Sequence, residues 1–123
     1  ADAAVERSTD PALRKKPVVF YGTSIMQGAC ASRTGMAQSS ILGRRLNVPV
    51  INLGFSGNGR MEPEVAALLA ELDPAAYVVD CLPNMDAAAV RQNAQALVRT
   101  LRKARPPTQS GLEEDRPTAE RLC

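Results

Sequence analysis

The chain has 123 residues, 45% of them apolar but only 3% aromatic, with no Trp. That length suits one domain that buries roughly two thirds of its unfolded surface, with a core of Ala, Val, Leu and Ile. A net charge of +2, from 15 basic and 13 acidic residues, and the scarcity of stacking rings argue against a nucleic-acid partner. No apolar run approaches the length of a membrane span and no secretory h-region is visible, so no membrane partner is expected and the compartment stays open. Cys30, Cys81 and Cys123 are odd in number and widely spaced, without a CxxC pair. That spacing argues against a disulfide framework or a structural zinc site, and no metal or cofactor is expected.

Residues 1–16 mix Ala, charges, Ser, Thr and Pro11 without apolar periodicity and read as a leader or linker. Pro17 then opens an apolar strand, Val18 to Tyr21, whose β-branched and aromatic residues suit burial on both faces. It ends abruptly at Gly22-Thr23-Ser24, which leaves Ser24 at the carboxyl end, where open α/β sheets bind ligands. Gly28 to Gly35 is a loop of small residues. A helix is expected from about Met36 to Leu46, with Ile41, Leu42 and Leu46 inward and Arg44 and Arg45 outward.

Val48 to Leu53 is a second apolar strand, ending in the glycine-rich turn Gly54-Phe55-Ser56-Gly57-Asn58-Gly59. The next helix runs from about Glu62 to Leu72. Pro63 suits its first turn, Glu62 and Glu64 complement its dipole, and Val65, Leu68, Leu69 and Leu72 lie on one face. Asp73-Pro74 stops it. A third strand, Tyr77 to Leu82, holds Cys81 as a small core residue and ends in Pro83-Asn84-Met85-Asp86. Asp86 is a plausible N-cap for the clearest helix, Ala87 to Ala104, where Val90, Ala94, Leu97, Val98 and Leu101 recur at helical spacing.

The order β-α-β-α-β-α predicts an α/β domain over 17–105, a three-layer flavodoxin-like parallel sheet with helices on both faces. By the same rhythm a fourth strand belongs near 108–114. Thr108-Gln109-Ser110-Gly111-Leu112-Glu113-Glu114 is too polar for a central strand, so 106–123 is expected to be an irregular tail and the fold to be incomplete at its C-terminus.

In a parallel sheet the three strand ends share one edge, so Ser24, the 54–59 turn and Asn84 should converge. Such a convergence suits acyl transfer, in which a Ser hydroxyl attacks a carbonyl and N–H groups hold the oxyanion. The chain has no His, so a Ser–His pair cannot be built from this polypeptide alone. Bland readings stand beside this one. Ser24 could cap the following helix or close the turn, Asn84 could start the helix after it, and Arg33 and Arg60 could be solvated charge. The glycines run G-x-x-G-x-G, which is not the dinucleotide order.

The three segments resemble the first three sequence blocks of the SGNH hydrolases, the GDSL-like lipases and acylhydrolases. Tyr21-Gly22-Thr23-Ser24 resembles the nucleophile block, with Thr where many members have Asp. Asn52-Leu53-Gly54-Phe55-Ser56-Gly57-Asn58 resembles the block whose glycine N–H lines the oxyanion hole, and Leu82-Pro83-Asn84-Met85 keeps the oxyanion Asn without the flanking Gly and Asp. The resemblance covers about residues 17–105. It implies Ser24 as nucleophile, Gly57 and Asn84 as oxyanion donors, and a small-molecule ester as substrate. It looks most like bacterial esterases acting on acylated carbohydrates or similar small esters.

The family's Asp-x-x-His block has no counterpart in this chain. The resemblance therefore implies a fragment, a truncated gene product or a degenerate copy, crippled as an enzyme, for which Glu113, Glu114 and Asp115 could be proposed as substitute bases. One rival reading keeps the fold and drops the catalysis, a flavodoxin-like module holding phosphate at Gly22, Thr23, Ser24 and Gly28; another is a non-functional fragment that is only marginally folded.

Overall fold

The structure, a computed structural model, describes Thr9, Pro11, residues 15–106 and the backbone of 109–112. The expected leader over 1–16 falls almost wholly outside the described residues. Four strands form one parallel sheet: β1 Val18–Gly22, β2 Val50–Gly54, β3 Ala76–Asp80 and β4 Gln109–Leu112, in the order β2-β1-β3-β4. β1 is central. Val18 pairs with Val50 on one side and Ala76 on the other, and Gly22 pairs with Gly54 and Asp80. Burial on both faces, expected from its composition, is realised: Val19, Phe20 and Tyr21 are all buried.

The helices are α1 Ser24–Gln27, α2 Gln38–Leu46, α3 Pro63–Glu71 and α4 Ala87–Ala104. The chain steps from β1 outward to β2, then crosses back over β1 to β3 and on to β4. Right-handed crossovers therefore set α1 and α2 on one face and α3 and α4, which pack on each other, on the opposite one. The step reverses at β1, so the topological switch point lies between β1 and β3, beside Ser24.

The main core lies on the α3–α4 face, where Tyr21, Tyr77, Val79, Ala66, Leu69, Leu97 and Leu101 meet. Asp86 caps α4 as expected, its Oδ1 accepting the Ala89 N–H at 2.8 Å. The end of α3 is closed by side chains from outside the helix: the Tyr77 hydroxyl donates to the Leu69 carbonyl at 2.7 Å, and Arg105 Nε donates to the Leu72 carbonyl at 2.8 Å. These bonds satisfy carbonyls that a helix end leaves without a partner.

Three expectations are corrected. The stretch read as an irregular tail contains a strand: Gln109–Leu112 pairs in parallel with β3, from Ala76↔Gln109 to Val79↔Leu112. An edge strand needs backbone partners on one side only, so its polar composition is no bar. In α2 the inward residues are Ser39 and Gly43, while Leu42 and Leu46 are exposed. The small residues bring the helix against β2, with Gly43 facing Val50, and rotate the leucines to the flank. In α3 the inward stripe is Val65, Ala66 and Leu69, which leaves Leu68 63% exposed.

That contrast has a measurable consequence. Leu97→Ala opens a cavity at the α3–α4 seam and should destabilise the domain by about 2–5 kcal/mol. Leu68→Ala should stay within about 0.5 kcal/mol of wild type. Urea midpoints for the two variants check both expectations.

Candidate active site

β1, β2 and β3 end at the same edge, and their turns are bonded to one another. Thr23 N donates to the Asp80 carbonyl at 3.2 Å, and Phe55 N donates to the Gly22 carbonyl at 2.9 Å. Asn84 Nδ2 donates to the Asn58 carbonyl at 2.7 Å, which joins the third turn to the second. Two glycines make this interlock possible. A Cβ on Gly54 would overlap the backbone of Gln27 in α1, and one on Gly59 would overlap the Gly22 carbonyl. Both positions need the bare backbone.

Ser24 is the first residue of α1 and is half-buried. Thr23, fully buried, caps this short helix, its Oγ1 accepting the Ile25 N–H at 3.3 Å. Ser24 itself therefore does not serve as the cap, and its hydroxyl has no hydrogen-bond partner among the described residues. Gly57 is exposed, with nothing within 4 Å of the place a Cβ would take. Asn84 closes a single 3-10 turn, Leu82–Asn84, and is half-buried. The structure thus brings the three expected residues to one edge. Glu113, Glu114 and Asp115 lie outside the described residues.

Several supporting residues have no signal in the sequence. Asn52 in β2 donates from Nδ2 to the Met26 carbonyl at 2.9 Å and to Ser39 Oγ at 2.8 Å, and its Oδ1 accepts the Gly54 N–H at 2.9 Å. It ties α1, α2 and the second turn together. Arg60, expected to be solvated, donates from Nη2 to the Gly57 carbonyl at 3.2 Å. Glu62, expected only to complement the α3 dipole, accepts a hydrogen bond from Tyr21. The bonds of Asn52 to Met26 and Ser39, and of Tyr21 to Glu62, join residues so distant in sequence that they leave no local pattern to read.

Cys81 is buried beneath the turns, and burial pushes its thiol up to about 12, so it supplies no thiolate nucleophile. A concavity of about 330 Å³ lined by Ala94, Val98 and Arg102 belongs to α4 and shares no residue with the strand ends. Among the described residues no cluster of His, Cys, Asp or Glu has the arrangement of a metal site, and no helix is long and apolar enough to cross a membrane.

A doubly wound parallel sheet thus carries a serine at its switch point, on the same edge as a glycine turn and an asparagine. The chain belongs to the GDSL-like lipase/acylhydrolase family, whose model matches residues 15–122. It is similar to a structure from Bacteroides ovatus ATCC 8483 named as a GDSL-like lipase, at 42% identity and a TM-score of 0.79 over 86% of this chain and 31% of that one. The fold is shared with SsfX3, a salicylyl-acyltransferase from a tetracycline biosynthetic pathway, at 20% identity and a TM-score of 0.71 over 85% of this chain and 30% of that one. It is shared too with AlinE4, an SGNH-hydrolase family esterase, at 20% identity and a TM-score of 0.62 over 78% of this chain and 58% of that one. The chain thus spans about a third of the length of the first two. No curated protein sequence matches it.

Proposed function

We propose that this chain is the nucleophile and oxyanion part of a serine esterase acting on small acetyl-type esters, carbohydrate esters among them. The observation that carries the reading is the Asn84–Asn58 hydrogen bond of 2.7 Å. It uses one N–H of the Asn84 amide to fix its orientation beside the Gly57 turn and leaves the second for a ligand.

In the proposed reaction the Ser24 hydroxyl oxygen bonds to the ester carbonyl carbon. The carbonyl π pair moves onto oxygen, and that oxyanion is held by the Gly57 N–H and Asn84 Nδ2–H. The serine proton passes to a base, which later returns a proton to the leaving alcohol. With no His in the sequence, the chain offers no histidine for that role and by itself is a weak esterase. Binding of phosphate at the Ser24 turn is less well supported, because α1 has only four residues and a single turn sums few peptide dipoles.

Phenylboronic acid tests the reading without requiring turnover. Its trigonal boron accepts the Ser24 oxygen and becomes a tetrahedral anion that mimics the oxyanion intermediate, while the serine proton passes to buffer. Boron NMR should show a tetrahedral signal with wild type and none with Ser24→Ala. Asn84→Ala should weaken binding by about a hundredfold, the lower end of the effect of an oxyanion donor. Equal binding by wild type and Ser24→Ala would refute the reading.

A further inference from the structure

The loop between β2 and α3 is fastened from β1 by one buried side chain. The Tyr21 hydroxyl donates to Glu62 Oε2 and accepts the Met61 N–H at 3.1 Å. The same Glu62 oxygen accepts the Arg60 N–H at 2.9 Å. The Arg60 side chain reaches the Gly57 carbonyl, and Asn93 of α4 donates to the Arg60 carbonyl at 3.0 Å. Through Arg60, whose backbone bonds Glu62 and whose side chain bonds Gly57, the contacts lead from Tyr21, three residues ahead of Ser24, to Gly57.

The loop needs such fastening. Met61 is buried with φ at +59°, in the left-handed region that a side chain disfavours. A residue persists there only when its surroundings over-determine it. The Tyr21 hydroxyl on the Met61 amide, and the Glu62 carboxylate on the amide before it, supply that constraint.

We propose that Tyr21 and Glu62 are positioning residues of this site, a buried hydroxyl–carboxylate latch that sets the turn carrying Gly57 against Ser24. The proposal rests on the reading of Gly57 as an oxyanion donor. A donor fixed in advance stabilises developing charge without reorganising at the moment of reaction, and small misplacements weaken it severely. The strand that presents the nucleophile thereby also aims the oxyanion donor.

The latch requires Glu62 as a carboxylate, because both groups it meets are donors. Burial acts to raise the Glu62 carboxyl, but hydrogen bonds from Tyr21 and the Arg60 backbone, with the Arg60 charge, hold it below its ordinary 4.5. Burial, then the bond to Glu62, pushes the Tyr21 phenol far up, so it stays a donor. The groups facing the pair are Arg60 from the loop and, just past β3, the Cys81 thiol, which stays neutral near pH 7. Because the folded Glu62 value is depressed, its contribution is complete above the unfolded value near 4.5 and is lost as pH falls through the folded one.

The test uses the full isotope-labelled chain with phenylboronic acid. Tyr21→Phe and Glu62→Gln should each raise the Kd at least tenfold, while the amide signals of Ile41 in α2 and Val50 at the far end of β2 keep their wild-type positions. Wild type supplies a second measurement that needs no variant: between pH 2 and 7, the Gly57 amide should shift in step with the Glu62 carboxyl carbon. Variants that bind as wild type does, or a Gly57 amide that stays still through the Glu62 titration, would overturn the latch. Failure of wild type to bind the boronate through Ser24 would instead remove the reading on which it rests.

Discussion

Assayed alone against an activated acetyl ester, the chain should show almost no turnover that depends on Ser24. Removing the serine or histidine of a hydrolase triad lowers kcat on the order of a millionfold, leaving what binding and the oxyanion hole supply. The sequence contains Ser24 but no His, and the Ser24 hydroxyl has no hydrogen-bond partner among the described residues. A neutral hydroxyl is a poor nucleophile near pH 7 without a base to take its proton. Ser24→Ala should therefore leave the residual rate within about twofold of wild type, since neither form has an activated nucleophile. Steady-state hydrolysis at pH 7 decides the matter. A rate well above background that Ser24→Ala abolishes would mean that a base within the chain serves Ser24.

Gly54→Ala should produce a large loss of stability, about 4 kcal/mol, or roughly 15 °C in Tm for a domain of this size. The methyl group would meet the Gln27 backbone nitrogen and Cα rather than the end of a side chain. No rotamer change relieves that overlap, so α1 must move away from β2, and Ser24 moves with it. The same helix is tied to β2 by Asn52 through the Met26 carbonyl, so displacement breaks that bond as well. Gly57→Ala is the control. Its Cβ would enter open space, and only the left-handed backbone, about 1–2 kcal/mol, opposes it. Thermal melts of the two variants separate close packing from backbone preference. A Gly54→Ala melt within a few degrees of wild type would show that α1 has more room than its contacts indicate.

The main elements were legible because local patterns carry them. Val18 to Tyr21 reads as a buried strand, Asp86 as a cap, and the α4 periodicity correctly buries Leu97 and Leu101. The meeting of Ser24, the 54–59 turn and Asn84 at one edge follows from parallel pairing alone, whereas the reversal of direction at β1 is seen only in the strand order of the sheet. Legibility ends where distance in sequence begins. Tyr21 looked like one more strand aromatic, yet its hydroxyl reaches Glu62, 41 residues later. Leu42 and Leu46 looked inward because leucine usually is, but Gly43 and Ser39 let α2 sit closer to β2 than leucine would allow. β4 carries no strand signal of its own because polarity argues against a central strand, and its place at the edge is decided by the sheet rather than by its own residues.

The interlock of the three turns also bears on the order in which the chain acquires its structure. Gly22 is bonded to Phe55, Thr23 to Asp80, and Asn58 to Asn84; none of these pairs is close in sequence. Loop closure must be completed before such contacts repay it, and parallel pairings of this kind form slowly. α4 can begin to form from its own cap and periodicity, whereas the edge bearing Ser24 exists only once β1 has both neighbours. In a refolding experiment, helical signal should therefore lead and ligand binding at the Ser24 edge should arrive last, as a late event in the assembly of the sheet.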